Sequence, residues 1–339
     1  MNVHIPYRTR RLLGRVGFIL LIILAVALLL WGCWMLWLQR YVVYTRDQGA
    51  KLDFELSPEL AKGQIVEKPQ QPQVNIYYNE GEDAINTSKD LQKLQGYYIT
   101  YDDLLQVDQV KAQLEELPAG TAVMVQVKSI NGSFYYSSSV AERRSQSLDI
   151  AKVDELLQWL EKSDLYTIAY VPALRDYYYG LHHVPDGLPT SGGYLWMDDE
   201  SCYWLNPASQ GTLSYIVQII NELKGMGFDE VTLFDFRFPD TSSIVFKSDK
   251  TEALTAAAKT LVTTCATENF AVSFVCENSF TMPEGRSRMF MKNVAPAQVA
   301  QVAENSGLEN AETHLVFMTD LHDTRFEAYG ILRPISMAE

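Results

Sequence analysis

The stretch GFDEVTLFDFRFPD, residues 227–240, is the most informative segment of the chain for its fold. Apolar residues fill most of the segment, as in a buried strand, while Asp235 and Arg237 interrupt the run near its end. Continuously apolar strands are typical of parallel sheets that are covered by helices on both faces. Two charges on such a strand require a partner, a solvent-filled pocket or a reaction. The segment therefore predicts a buried strand that brings charge to one edge of a sheet.

Strand-like and helix-like patterns alternate on both sides of this segment. Helices are predicted at 108–117, 153–163, 212–227, 251–266 and 296–307. Apolar strands are predicted at 96–100, 121–127, 166–174, 271–277 and 313–320, with weaker ones at 133–138 and 328–334. The dipeptide Asn131-Gly132 predicts a hairpin turn before 133–138, because it accepts positive φ.

This alternation over about 240 residues matches the size of a TIM-type (β/α)8 barrel. We predict this α/β fold, as an incomplete or irregular barrel if the weaker strands fail. An open doubly wound sheet is the alternative. The dinucleotide-binding form of that sheet carries a glycine-rich turn after its first strand, and the sequence has none there.

A barrel gives the two charges of the opening segment a place, because active sites in such barrels lie at the carboxyl ends of the strands. Asp235 and Arg237 are two residues apart, so we expect them on one face of the strand, with Val231 and Leu233 behind them. The phenylalanines are then expected to face the covering helices: Phe234, Phe236 and Phe238. Asp235 and Arg237 would lie at the top of the lumen.

The N-terminus contains an uncharged apolar run of 23 residues, 16–38, which is long enough to span a bilayer. Four arginines precede the run within residues 1–15, so the positive-inside tendency keeps those residues in the cytoplasm. We predict a single-pass anchor in the cell membrane, an extracellular stalk at 39–94 and an extracellular barrel at 95–339. A cleaved signal peptide and a lipoprotein-like Cys33 are the alternatives.

Net charge and cysteine content exclude several classes of partner. Residues 1–40 hold five arginines and no acidic residue, so the rest of the chain has 23 basic and 42 acidic residues, a net charge of −19. A nucleic acid or an anionic lipid surface would need a basic face, so we expect neither as a partner of the exported part. No Cys/His spacing suggests a zinc site, and no cofactor is implied. Cys265 and Cys276 could be bridged or reduced.

Four further segments and the opening segment resemble segments of one family, and they occur in the same order along the chain. The four further segments are GYYIT at 96–100, AVMVQVKSINGSFYYSS at 122–138, GGYLWMDDESCYWLNPAS at 192–209 and GILRP at 330–334. Together with 227–239 they resemble the glycoside-hydrolase-like TIM-barrel proteins of bacteria, which are often membrane-anchored. The resemblance covers about residues 95–334 and implies a barrel with a polysaccharide-binding pocket.

The chain departs from the family pattern at acidic positions. Residues without a carboxylate stand where the family has acids: Gln126, Ser129, Ile130 and Asn206. An ungapped match also puts Phe234 at the family's aspartate, and only a one-residue bulge would give Asp235 that role. An amide keeps the shape of a carboxylate but cannot cycle a proton. The departures suggest a pocket that has lost its chemistry.

Glycosidases need two carboxyl groups that face each other across the sugar. Acids at the ends of predicted strands include Asp235, Glu277 and Asp320, and we predict Asp235 and Glu277 as the catalytic pair. The alternative is that Asp235 only forms a structural ion pair with Arg237 or Lys128. The predicted substrate-binding residues are Arg237, Lys128, Gln126, Asn206, Trp196, Tyr178 and Asp320, where aromatic rings would stack on sugars.

Three functions remain open from the sequence. A weak or altered glycosidase could act through Asp235 and Glu277, whereas a non-catalytic relative could bind polysaccharide or cell-wall glycan in the inherited pocket. The amide replacements favour the non-catalytic relative slightly. The third function is an envelope scaffold that uses the barrel to bind a protein partner.

Overall fold

The computed structural model describes residues 24, 26–34, 42–45, 49–52, 91–276 and 280–338. The chain divides into two units, residues 1–75 and 76–339. In the first unit, residues 26–34 are helical, and strands β1 (Val42–Thr45) and β2 (Gly49–Leu52) pair antiparallel. No helix among the described residues has the length and apolarity to cross a membrane. Most of the predicted anchor 16–38 and most of the predicted stalk lie outside the described residues.

The second unit contains a closed barrel of eight parallel strands, which confirms the predicted barrel. In chain order the strands are β3 (Gln95–Ile99), β4 (Ala122–Gln126), β5 (Tyr166–Pro172), β6 (Glu230–Phe234), β7 (Ala271–Val275), β8 (Met289–Lys292), β9 (Leu315–Met318) and β10 (Gly330–Pro334). Each strand pairs with its neighbour in sequence, and β10 closes the ring against β3, with Ile331 opposite Gln95. The chain closes a ring in strict order, as a TIM-type barrel does.

Helices cover the barrel unevenly. They are α1 (Tyr101–Leu104), α2 (Val107–Glu115), α3 (Ile150–Glu161), α4 (Tyr177–His182), α5 (Gln210–Gly225), α6 (Lys250–Cys265), α7 (Val299–Asn305) and α8 (Ala311–His314). Aspartate side chains cap α3, α4 and α6 by accepting a backbone N–H of the first turn. In the described residues, the connections β7–β8 and β9–β10 contain no α-helix, so the barrel is irregular there.

Successive residues along a strand alternate between two apolar clusters, one under the helices and one in the lumen. Val231 and Leu233 of β6 belong to the cluster of buried residues that also contains Ile220 of α5 and Leu261 of α6. Phe234 belongs to a separate lumen cluster with Met124, Ile168, Phe290, Met318 and others. The predicted orientation of β6 is therefore wrong, because its even-numbered residues face the lumen. Phe236 packs on the helix side, as predicted.

A buried ion pair fills the amino-terminal end of the lumen. Arg288, which precedes β8, pairs with Glu230 of β6, and Tyr166 of β5 donates its hydroxyl to the same carboxylate at 2.9 Å. The guanidinium also donates to the carbonyl oxygens of Gln92 at 2.8 Å and Thr313 at 3.0 Å. One side chain thus joins the starts of β3, β5, β6, β8 and β9. Polar groups at this end of a barrel stabilise it rather than act on substrates.

The segment after β4 differs from the predicted hairpin strand. Gly132 has a φ of +77°, as the predicted turn requires, but Phe134 then forms only isolated bridges, to Lys128 and to Arg144, and no strand. Glu222 of α5 holds residues 136–139 instead. Its carboxylate accepts the hydroxyls of Tyr136 at 2.8 Å, Ser138 at 2.5 Å and Ser139 at 2.6 Å, and the Ser139 N–H at 2.5 Å. Cys202, Cys265 and Cys276 are buried and not bridged.

Candidate functional site

Asp235 lies immediately beyond β6, at the carboxyl edge of the barrel. Its φ is +50°, which is rare for a residue with a side chain and breaks the alternation of the strand. The carboxylate is half-buried, and its charge acts on the Tyr170 phenol and the Arg175 guanidinium. The positive φ is a local irregularity of the backbone, as is the one-residue bulge that would give Asp235 the role of the family's aspartate. Phe234 nevertheless keeps the inward position.

Aromatic rings fill the carboxyl end of the lumen. The rings of Tyr170 on β5 and Phe234 on β6 have centroids 3.6 Å apart, and Phe234 is 3% exposed. The ammonium group of Lys292, at the end of β8, lies 4.1 Å from the Phe234 centroid and 5.2 Å from that of Tyr170. We call Tyr98, Tyr170, Phe234 and Lys292, with Asp235 and Asp320, the mouth cluster.

Acidic groups surround these rings. Burial raises the pKa of Tyr170, and the Asp235 carboxylate raises it further. Burial also raises the pKa of Tyr98 on β3, and the charges of Asp320 and Asp103 add to this effect. Both phenols therefore stay protonated at neutral pH and can donate hydrogen bonds. Carboxylates thus act on both phenols, beside the Lys292 ammonium at the rings.

The loop between β5 and α5 forms a second group of residues beside Asp235. Asp198 accepts hydrogen bonds from the Arg175 guanidinium at 2.6 Å and from the Trp204 indole at 2.9 Å. Burial opposes the charged form of Asp198, but bonds from the Cys202 N–H and the indole, with the Arg175 charge, lower its pKa overall. The guanidinium carbons of Arg175 and Arg237 lie 5.7 and 4.9 Å from the Trp204 ring centroid. Asp198 thus links Arg175 at the start of this loop to Cys202 and Trp204 near its end.

Lys128 is fully buried and lies apart from the mouth cluster. Its ammonium pairs with Asp176 at 2.7 Å and donates to the Pro172 carbonyl at 3.3 Å. The Asp176 carboxylate also accepts the Tyr179 N–H at 2.9 Å and the Tyr215 hydroxyl at 3.0 Å. The charge of Lys128 is thus compensated inside the protein, in an ion pair with Asp176 that the sequence reasoning did not anticipate.

The other predicted site residues are distributed over the carboxyl side of the barrel. Gln126 ends β4, where its amide accepts the Tyr101 N–H at 3.1 Å and donates to the Lys128 carbonyl at 3.4 Å. Asp320 is exposed just after β9. Glu277 lies outside the described residues, so the catalytic pair with Asp235 stays a prediction.

Three predicted residues lie in the long loop and helix after β5. The Asn206 side chain accepts the Ala208 N–H at 2.9 Å, which forms the turn before α5. Trp196 is half-buried, 6.5 Å from the Trp204 ring centroid, in a small apolar cluster of the loop. The ring of Tyr178 on α4 is tilted against that of His182, with centroids 4.2 Å apart. Their contacts within the protein are structural, and any ligand contact stays a prediction.

Sequence reasoning missed the aromatic part of the mouth cluster. Tyr98 and Tyr170 belong to predicted strands. Tyr170 lies beside Phe234 in the lumen cluster, but the sequence does not show which of the two alternating faces of a strand points into the lumen. Lys292 was missed because β8 was not predicted. Nothing local in the sequence signals Asp176 as the partner of Lys128.

The mouth cluster combines flat rings, a cation and carboxylates, which is the chemistry of a carbohydrate site. Among the described residues, no group of His, Cys, Asp and Glu could hold a metal ion. Acid–base chemistry on a glycosidic bond would need two facing carboxyl groups. Asp235 is the half-buried carboxylate of the mouth cluster, and Asp320 is its exposed one.

Solved structures with the same architecture include carbohydrate-active proteins. The α-galactosidase from Lactobacillus brevis aligns with a TM-score of 0.50 and 10% identity, over 72% of this chain and 37% of that one. The glycoside hydrolase domain of PelA from Pseudomonas aeruginosa gives 0.44 and 10%, over 72% and 95%. A hypothetical protein from Ruminiclostridium thermocellum gives 0.44 and 19%, over 52% and 96%. At 10% identity the likeness to the α-galactosidase concerns the fold alone.

Several matched glycosidases are much longer than this protein, which spans 34% to 40% of their chains. The chain matches no curated protein. A family model described as "Putative glycosyl hydrolase domain" matches residues 96–275, from β3 to the end of β7. Because this match covers more than half of the chain, the protein belongs to that glycosyl hydrolase domain family.

Proposed function

We propose that this protein is a membrane-tethered, extracellular member of the family that binds polysaccharide or cell-wall glycan without cleaving it. The observation that carries the proposal is the inward position at the end of β6. Phe234 occupies it, with its ring tilted against that of Tyr170, where an ungapped match to the family has an aspartate. A phenyl ring cannot transfer a proton or attack an anomeric carbon, so this position lacks the chemistry that a carboxylate would supply.

The other departures from the family pattern support the same function. Gln126 uses its amide in hydrogen bonds to Tyr101 and Lys128, and Asn206 uses its side chain in a turn. Tethering rests on the uncharged run 16–38 and the arginines before it. The extracellular location follows from that orientation and also remains a proposal.

A weak glycosidase is the second candidate, because Asp235 is a half-buried carboxylate just beyond β6, at the edge where active sites of such barrels lie. Asp235 with Glu277 would then act as the catalytic pair. A scaffold for a protein partner is the third function, and it predicts no glycan binding at all.

The test uses the full-length protein, purified in a mild detergent because of its apolar N-terminal run. Binding to a glycan panel and release of reducing ends are measured for the wild type and for Asp235→Asn. We expect binding without turnover, and no loss of binding in Asp235→Asn beyond about threefold, roughly one neutral hydrogen bond. Turnover that disappears in Asp235→Asn would establish the glycosidase instead. A protein with neither binding nor turnover would support the scaffold.

A further inference from the structure

The mouth cluster holds a cation against an aromatic pair. Lys292 is exposed as a residue, yet its ammonium lies 4.1 Å from the Phe234 centroid and 5.2 Å from the Tyr170 centroid. Both distances are within the range in which a cation is attracted to the face of a ring. Lys292 ends β8, so its flexible stem reaches the rings from the carboxyl edge of the barrel.

The charges around the rings favour a cation at this position. Asp235 acts on Tyr170, and Asp320 and Asp103 act on Tyr98. Arg175, the other basic group that acts on Tyr170, is engaged by Asp198 at 2.6 Å and by Glu200 at 3.3 Å. The chain beyond residue 40 has a net charge of −19. A polyanionic glycan would be repelled by this field, whereas a cationic one would be attracted.

We propose that the Tyr170–Phe234 pair is a binding site for the ammonium group of an amino sugar, and that Lys292 occupies this site as an internal competitor. The inference rests on the proposed glycan binding and names its substrate class: polysaccharide that carries free amino groups. The ligand replaces one primary ammonium by another, so the rings and the neighbouring carboxylates keep a cation throughout.

Two substitutions in the full-length protein test the two parts of the inference, that Lys292 competes with the ligand and that the Phe234 ring binds it. Lys292→Met removes the competitor and keeps the apolar stem. We expect affinity for a glucosamine tetrasaccharide, measured by titration calorimetry, to rise about 2- to 30-fold, the range of one cation–aromatic contact. Phe234→Leu keeps an apolar side chain without a ring, and affinity should fall by a similar factor of about 2- to 30-fold.

Lys250→Met is the matched control. Lys250 lies 5.5 Å from the Phe238 centroid, so the same substitution removes a comparable cation–aromatic contact outside the mouth cluster. Its affinity should equal that of the wild type. The N-acetylated tetrasaccharide, which has no ammonium group, should bind more weakly than the glucosamine form, and Lys292→Met should leave its affinity unchanged.

The opposite result for Lys292 would overturn the inference. If Lys292→Met weakens binding, or if a galacturonate tetrasaccharide binds best and loses affinity in that variant, Lys292 is itself a ligand contact for an anion. Equal affinity for the amino and N-acetylated forms, unchanged by Lys292→Met, also refutes it while glycan binding stands. If the protein binds no glycan of the wider panel, the proposed function fails as well. Lys292→Met decides the case even if Phe234→Leu does not fold.

Discussion

Replacing Lys128 by methionine tests whether this residue binds substrate or stabilises the barrel. Its side chain and that of Asp176 are both fully buried and lie 2.7 Å apart. Removing one partner of a buried ion pair costs about 3–5 kcal/mol, because the other charge is left without compensation. Asp176 would keep two donors, the Tyr179 N–H and the Tyr215 hydroxyl, so we expect a loss near the lower end, about 3 kcal/mol.

The double variant Lys128→Met/Asp176→Asn supplies the internal control. It removes both charges; the amide oxygen can still accept the Tyr179 N–H, and the amide nitrogen can donate to the Tyr215 hydroxyl oxygen. We expect it to lose only about 1–2 kcal/mol relative to the wild type, less than Lys128→Met alone. The assay is equilibrium unfolding of the full-length protein in guanidinium chloride, followed by tryptophan fluorescence, with the midpoint shift compared at constant slope. A Lys128→Met variant that is as stable as the wild type but no longer binds glycan would refute the structural role.

Three further predictions concern other parts of the barrel. Burial opposes the charged form of Glu222, but its hydrogen bonds lower its pKa below its ordinary value. Their stabilisation is therefore fully present above the pKa of the unfolded state and is lost as the pH falls through the folded-state pKa. Glu222→Gln should therefore lose about 1–3 kcal/mol at pH 7, a deficit that urea titrations below pH 4 should find diminished. A Cβ at Gly96 would lie 1.8 Å from a carbonyl oxygen of β4, so Gly96→Ala should prevent folding as judged by circular dichroism, whereas Gly225→Ala, with open space, should leave stability unchanged or slightly higher. Asp198→Asn should lose about 1.5–3 kcal/mol and expose residues 187–205 to limited proteolysis; a cleavage pattern like that of the wild type would contradict its anchoring role.

The barrel was predictable because the strands are apolar and alternate with helices. Seven of the eight strands correspond to predicted ones, but β8 does not. β8 has only four residues, Met289–Lys292, with two methionines and no β-branched residue, and no α-helix among the described residues separates it from β7. β8 is recognised as a strand by its pairing with β7 and β9, and no local sequence pattern predicts these contacts.

The site was less predictable, because both faces of a barrel strand are buried. On β6 the apolar run continues through Val231, Leu233 and Phe234, so the sequence does not reveal which residues face the lumen. The positive φ of Asp235 then shifts the following residues by one position. The partner of Lys128 lies 48 positions away, on a different strand connection. Strand ends located the correct edge of the barrel, and the side-chain contacts there required the fold.

The contacts of the Arg288 guanidinium limit where the chain can be truncated without loss of the fold. The guanidinium neutralises Glu230 and binds carbonyl oxygens at positions 92 and 313, so the amino ends of early and late strands meet at one side chain. The segment matched by the family model stops at residue 275, before this arginine and before three of the eight strands. A fragment with those limits would expose the edges of β3 and β7 and leave Glu230 charged in an apolar interior. The barrel therefore folds as one unit, and its first strands are stable only once the residues after 275, which supply β8, β9 and β10, have been synthesised.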